Sequence, residues 1–275
     1  MNGASELNVC ALGSIYSGEK LENFQACVES LKRQMLKVPI FLVIDGPIGI
    51  ELRDYINKNY DYFEGIFEIE LNSGLACALN YGLSKIPQKF DYIIRFDTDD
   101  VNREDRFSTL VSNFRDDDTV LGSWVLEFSA DSELLKRVPS LVLAGDKKFF
   151  FRNPLNHPSV IFRTRAIMDL GGYEHMPFFE DWLLWAKVLR SGGKIRNINI
   201  PLLRFRFDTH TLARRRGIRY VRHEALFFLR LMSLYPLYIP IILSAFITRA
   251  ALRLLPKRIF RYVYNLARKL PNENR

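Results

Sequence analysis

The sequence predicts an α/β fold in which a mostly parallel sheet carries helices on both faces and a basic, apolar helical tail follows it. Three observations predict this. Short apolar runs alternate with helical patterns from residue 7 to about 100, the arrangement that parallel strands joined by crossover helices require. The β-like runs end in polar, turn-forming clusters: Asp45-Gly46-Pro47, Asn72-Ser73-Gly74 and Asp97-Thr98-Asp99-Asp100. The charge then changes sign along the chain. The first 203 residues hold 23 Lys/Arg against 28 Asp/Glu (−5) and the rest 16 against 3 (+13), which together give the net +8.

Taken in order, the elements are a strand over Leu7 to Ala11, a helix over Leu21 to Met35 and a strand over Ile40 to Ile44. A helix over Leu52 to Tyr60, a strand over Ile66 to Leu71, a helix over Leu75 to Leu83 and a strand over Tyr92 to Phe96 follow. The stretch from Val120 to Phe207 mixes β-like runs with one strong helix. Within it the loop Asn153 to Ser159 enters a strand over Val160 to Phe162. The helix over Phe179 to Leu189 opens on Glu180-Asp181 and stops at Ser191-Gly192-Gly193. These limits divide the chain into a catalytic body, 1–210, with halves of about 1–105 and 106–210, and a tail, 211–275. With 48% apolar residues the body can bury a sizeable core.

The tail carries 18 uncharged residues, Leu231 to Thr248, interrupted by Pro236 and Pro240 and flanked by arginines. That is the lower limit for crossing a bilayer, so the segment reads as lying in or dipping into the interface. Arg249, Arg253, Arg258 and Arg261 interleave with apolar residues as in a basic surface helix. A helical hairpin packed on the body or on a second subunit is the competing reading. A polyanion partner is expected from the charge, and the apolar content favours an anionic membrane over nucleic acid. Cys10, Cys27 and Cys77 lack ligand-like spacing and read as reduced core residues of a cytosolic protein. No secretory signal is expected from the first twenty residues.

In a sheet of this kind ligands sit beyond the carboxyl ends of the strands. Asp97 and Asp99 follow a buried strand, and alternation along an extended backbone puts both on one side, where they suit Mn²⁺ or Mg²⁺ with a substrate phosphate. A solvated acidic turn is the alternative. Asp45 is placed to accept from the N3–H of a uracil or to form an Asx turn. Asn72 and Ser73 either cap the following helix or lie against a nucleotide. Glu180 and Asp181 in a first helical turn serve as caps, or Asp181 as a base for a sugar hydroxyl. His157, beside Asn156, lines an acceptor pocket or fixes its loop. Arg214, Arg215 and Arg216, with His210 nearby, clamp a diphosphate or face a membrane.

As an ordered series, Ile44-Asp45-Gly46-Pro47, Asn72-Ser73-Gly74-Leu75 through Asn80-Tyr81-Gly82-Leu83, Arg95 to Asp100, Asn153 to Phe162, Gly171-Gly172-Tyr173 and Phe179-Glu180-Asp181 resemble the family-two inverting glycosyltransferases of GT-A fold. The likeness runs from about residue 7 to 220 and is nearest to small bacterial enzymes of O-antigen and exopolysaccharide assembly. It implies that Asp45 contacts uracil, that Asp97 and Asp99 hold the metal-bound diphosphate of a UDP-sugar, and that Asp181 activates the acceptor hydroxyl. Gly74, Asn80, Arg95 and Asp100 stand in the same motifs on the donor side. The implied acceptor is a sugar on diphospho-undecaprenol at the cytoplasmic face of the inner membrane, with galactose as donor sugar. A nucleotidyltransferase would carry a Gly-rich basic loop after the first strand, which Gly13-Ser14-Ile15 resembles poorly. A non-catalytic membrane-surface protein needs none of these carboxylates.

Overall fold

The structure, a computed structural model, describes residues 8–129, 133–138, 141–143, 146–207, 215–256 and 258–260. The first half is β1 (Val9–Tyr16), α1 (Leu21–Lys32), β2 (Ile40–Asp45), α2 (Ile50–Lys58), β3 (Gly65–Ile69), α3 (Leu75–Lys85) and β4 (Tyr92–Arg95). The second half adds β5 (Val101–Asn102), α4 (Arg106–Asn113), β6 (Val120–Phe128), β7 (Glu133–Lys136), β8 (Leu141–Val142), α5 (Lys147–Phe151), β9 (Ile161–Arg163), α6 (Thr164–Asp169), α7 (Glu180–Arg190) and β10 (Ile195–Arg206). Among the described residues the strands form one sheet in the order β3-β2-β1-β4-β9-β6-β10-β5, with β7 beside β6 and β8 beside β10. β3, β2, β1 and β4 are parallel, β9 runs antiparallel between β4 and β6, and β6 and β10 are parallel.

Strand alternation builds two cores. Val9, Ala11 and Ile15 of β1, Ile40, Leu42 and Ile44 of β2, and Tyr92 and Ile94 of β4 pack on the face covered by α1, α2 and α4. Cys10, Leu12, Phe41, Val43 and Ile93 pack on the opposite face with α3, α5 and α7. Both faces are therefore dry, as a parallel sheet requires. Cys10 and Cys27 are buried and free, whereas Cys77 is exposed on α3, so only two of the three cysteines belong to the core.

The expected elements of the first half shift by small amounts, each for a local reason. β1 continues through Gly13-Ser14-Ile15-Tyr16, past the expected end at Ala11. Gly13 permits this, because a Cβ there would meet the buried Phe96 ring at 2.4 Å. Leu7 of the expected first strand lies outside the described residues. α1 stops at Lys32 because Gln34 leaves the helix to donate to the Arg103 carbonyl (2.7 Å) and accept from the Phe107 N–H (3.0 Å).

The uncharged run of the tail is not one helix. α8 (Ile218–Leu234) ends before Pro236, whose ring cannot continue it, and α9 (Ile239–Leu254) returns antiparallel beside it. Phe227, Phe228, Leu231, Ile242 and Ala245 join the core around Trp182 and Trp185 of α7. The hairpin reading thus describes the inner face. The outer face remains apolar: Leu226, Leu229, Ile239, Leu243, Ile247 and Leu254 are exposed, and Leu237 at the tip is 91% exposed. Pro236–Leu254 is the single described helical stretch long and apolar enough to cross a membrane. The expected surface helix is described only as far as Phe260, and Arg261 lies outside the described residues.

Gly13→Ala is expected to destabilise the protein by about 1–3 kcal/mol, because the added methyl overpacks a ring with no free volume. Denaturant unfolding with an unchanged m-value checks it; a stability equal to wild type would show that Phe96 can yield.

Candidate active site

Parallel pairing puts the carboxyl ends of β1, β2 and β4 on one edge of the sheet. The register sets Tyr16 beside Asp45 and Leu12 beside Arg95. Just past β4 the chain turns instead of extending, with the Asp100 N–H directed at the Asp97 carbonyl (3.4 Å). That turn, not strand alternation, gathers the acidic side chains, and it adds Asp100 to the expected pair. Carboxylate oxygens of Asp97, Asp99 and Asp100 lie within 4.8 Å of one another.

Buried cations support this cluster from beneath. Arg95 bonds Asp97 Oδ1. Arg106, fully buried, donates to the carbonyls of Arg95 and Pro158 (both 2.6 Å) and to Asn102 Oδ1. The Arg206 N–H donates to Asp100 Oδ1 (2.8 Å) and Arg206 Nε to the Asp99 carbonyl (3.0 Å). Thr98 Oγ1 donates to Glu19 (2.8 Å), which brings a fourth carboxylate to the cluster. Burial, then the charges of Asp97 and Glu19, push the Asp99 carboxyl up to about 7. Burial pushes Asp100 well up, and its Oδ2 is buried without a partner among the described residues. Crowded hard oxygens that resist ionisation, one of them unsatisfied, fit a divalent cation of the Mg²⁺ or Mn²⁺ kind.

At the end of β2, Asp45 is only 4% exposed and its carboxylate is fully engaged. Oδ1 accepts from Ser73 N–H (2.8 Å) and Oγ (2.9 Å), and Oδ2 from Gly74 N–H (2.9 Å) and Asn72 Nδ2 (3.1 Å). The Asx-turn reading fits less well than a longer-range one: Asp45 organises the loop leading into α3. Contact with a base edge would require one of these bonds to be given up. Gly46 and Gly74 adopt positive φ (82° and 86°), and a Cβ on Gly46 would strike the Asn72 backbone at 2.5 Å. Asn80, expected beside the donor, uses its amide twice on Tyr173, donating to the carbonyl (2.7 Å) and accepting the N–H (2.9 Å). Its work here is to tie α3 to the Gly171-Gly172-Tyr173 turn.

α7 begins beyond Phe178, which is held at φ 74°, a strained position for a side chain of this size. Asp181 Oδ2 accepts from Asn153 Nδ2 and Oδ1 from the Trp182 N–H, both at 2.7 Å. Burial raises the Asp181 carboxyl, opposed by those two donors and by the charges of Arg215 and Lys136. Burial and then Asp181 push Glu180 up to about 7, and Glu180 Oε2 is buried without a partner among the described residues.

His157 and Asn156 are both buried. His157 Nε2 bonds the Tyr173 hydroxyl (2.9 Å), and burial holds the imidazole neutral with its pKa well lowered. Asn156 is buried and donates to the Ser123 carbonyl (3.1 Å). The loop-fixing reading of His157 therefore describes its contacts. Tyr173 is the meeting point: its hydroxyl feels the charges of Arg95, Asp181, Asp97 and Glu180. Arg214 and His210 lie outside the described residues. Arg215 stands over Phe207 (5.9 Å), while Arg216 donates to the Leu255 carbonyl (3.1 Å) at the end of α9.

Sequence reasoning passed over Glu19, Asn153 as the partner of Asp181, Tyr173 as the meeting point, and Arg206. Arg206 had a usable signal, since it is a cation at the end of a long strand facing an acidic turn.

The architecture is that of the GT-A glycosyltransferases. It superposes on S. aureus TarS 1–349 in complex with UDP-GlcNAc with a TM-score of 0.68 at 15% identity, covering 88% of this chain and 72% of that one. A mannosyltransferase of Pyrobaculum calidifontis in complex with GDP-Man and Mn²⁺ gives 0.55 at 15% identity, covering 96% and 81%. Residues 16–170 match Glycosyl transferase family 2, and the chain belongs to that family. It is 33% identical to the amylovoran biosynthesis glycosyltransferase AmsE of Erwinia amylovora, over 93% of this chain and 97% of the relative. It is 36% identical to the Escherichia coli UDP-Gal:alpha-D-GlcNAc-diphosphoundecaprenol beta-1,3-galactosyltransferase, over 82% and 83%. The chain is thus a glycosyltransferase related to enzymes of bacterial exopolysaccharide and O-antigen assembly.

A carboxyl raised to about 7 in the folded protein keeps its proton where the unfolded chain has lost it, so its contribution falls as pH rises from about 4.5 to 7. Glu180→Gln is therefore expected to stabilise the protein relative to wild type more at pH 8 than at pH 5. Paired denaturant titrations in chelator test this, and an equal difference at both pH values would refute the assignment.

Proposed function

We propose that the chain moves a hexose, galactose from UDP-galactose in the first instance, onto a lipid-diphosphate-linked sugar such as GlcNAc-diphospho-undecaprenol, with inversion. The observation that carries this is the setting of Asp181: a carboxylate in the first turn of α7, with Oδ2 held by Asn153 and Oδ1 by the Trp182 N–H. The likeness to the E. coli galactosyltransferase supports the donor and acceptor classes.

In this reading Asp181 takes the proton of the acceptor hydroxyl as that oxygen attacks the anomeric carbon and the bond to UDP breaks, the electron pair leaving with the diphosphate. Its raised affinity for protons suits it as a base, and Asn153 aims the oxygen that receives the proton. Glu180 beside it shares the negative charge of the site. Asp97 and Asp99, with Asp100 behind them, would hold Mn²⁺ or Mg²⁺, which when bound neutralises charge on the departing diphosphate. Asp45 shapes the Asn72–Gly74 loop at the rim of the nucleoside site, Asn80 ties α3 to the Tyr173 turn, Arg95 holds Asp97, and Arg214, Arg215 and Arg216 are assigned to clamping the diphosphate.

The donor side is assigned to about 1–105, the acceptor side to about 106–210, and 211–275 to membrane association. The apolar outer face of α8 and α9 and the basic tail support a peripheral or monotopic position on the cytoplasmic side of the inner membrane.

UDP release from a panel of UDP-sugars, with Mn²⁺ and a GlcNAc-diphospho-lipid acceptor, tests the activity. Asp181→Asn is expected to lower transfer by about 10²–10⁴-fold while UDP still binds; turnover at the wild-type rate would remove Asp181 from the reaction. Leu243→Glu combined with Ile247→Glu should release the protein from anionic vesicles in a flotation assay. Unchanged flotation would mean that the outer face of α9 serves some other contact.

A further inference from the structure

A cavity of about 470 Å³ that no step described so far uses is lined by Asn153 and Pro154. Asn153 is also the residue that holds Asp181, so one side chain connects the cavity to the proposed base. Its floor is apolar, with Trp124, Val138, Val142 and Phe149. Four cations line it: Arg137, whose guanidinium lies 5.3 Å from the Trp124 ring centroid, and Lys147, Lys148 and Arg152 on and after α5. Asp146 also lines it and caps α5 by accepting the Lys148 N–H (2.9 Å), and Arg152 donates to the Arg137 carbonyl (3.2 Å). Four cationic side chains around a concavity with an aromatic floor match a compact dianion or trianion that carries a less polar group.

The surroundings say what that group is. Leu141, Leu143 and Phe151 are exposed apolar residues in the segments that frame the cavity. Arg249 of α9 donates to the Phe151 carbonyl (2.9 Å), which binds the cavity's outer segment to the hairpin with the exposed apolar face. An amphiphile whose chain stays with that face can therefore put its anionic head among the four cations and its terminal sugar near Asp181.

We propose that this cavity is the seat of the acceptor's diphosphate, held by Arg137, Lys147, Lys148 and Arg152, with the lipid leaving over Phe151 toward α9. The inference rests on the acceptor class put forward under the proposed function, but it concerns a site separate from the Asp97-Asp99-Asp100 cluster and is tested separately from the donor chemistry. Lys147 and Lys148 are exposed, so reversing their charge leaves the core intact.

The test is equilibrium binding to the full chain, read by tryptophan fluorescence, of farnesyl-diphospho-GlcNAc, farnesyl phosphate and inorganic pyrophosphate, with UDP plus Mn²⁺ titrated in parallel. Wild type should bind farnesyl-diphospho-GlcNAc more tightly than either fragment. Lys147→Glu with Lys148→Glu should weaken it by about tenfold or more without a comparable loss for UDP. Equal affinity in the variant, or pyrophosphate binding as tightly as the lipid-linked sugar, overturns the proposal. Loss of UDP binding in wild type would sink the donor reading while leaving a charge-dependent lipid-diphosphate response as support for the cavity.

Discussion

Everything at the carboxyl edge of the sheet depends on one electrostatic constraint: carboxylates that repel one another are held together beside buried guanidinium groups. Arg95 and Arg106 lie at 1% and 0% exposure, where an unpaired cation would be prohibitive. Each is tolerated because it answers something on the edge. Arg95 meets Asp97, and Arg106 fastens the carbonyls of Arg95 and Pro158, tying the strand that carries the acidic turn to the loop that precedes β9. This side chain adds to the β4–β9 pairing in joining the two halves of the protein under the acidic turn. In the proposed function the carboxylates above it are completed by a cation and a phosphate ester.

The same constraint explains what could be read from the sequence. Strands β2 and β4, buried on both faces, the half-buried edge strand β3 and the amphipathic helices α3 and α7 were legible to within about two residues because their apolar runs meet no competing pattern. β10 was not resolved as one long strand. It includes polar Asn197 and Asn199 and breaks register around Pro201, which has no N–H to give the ladder, so its pattern reads as several fragments. Asp97, Asp99 and Asp181 could be singled out because acidic residues at a strand end and at a helix start each have a chemical rationale.

The partners of those residues were less legible, since Asn153, Tyr173, Glu19 and Arg206 reach the site only through tertiary contacts. Four side chains in the expected motifs show a common use that the sequence did not display. Asp45, Asn80, His157 and Asn156 each bond inward, on groups of a neighbouring loop or, for His157, on the Tyr173 hydroxyl. A buried loop must satisfy its N–H and C=O groups somewhere, and a short polar side chain from an adjacent element does so with least loss.

The hairpin ties the site to the element with the exposed apolar face. Glu224 of α8 is fully buried and bonded by Arg249 of α9 (2.7 Å), an ion pair whose breakage costs about 3–5 kcal/mol when one partner is removed. Arg249 also lies over the Trp182 ring (5.1 Å) and bonds the Phe151 carbonyl. One guanidinium thus touches α8, the residue after Asp181 and the end of α5. A displacement of α9 on a bilayer cannot leave α7 and α5 where they were unless this contact set breaks. Since α7 carries Asp181 and α5 precedes Asn153, the geometry of the proposed base is mechanically bound to the element with the most exposed apolar surface. In the proposed membrane association and lipid-linked acceptor class, seating of α9 and alignment of the reacting groups are a single event.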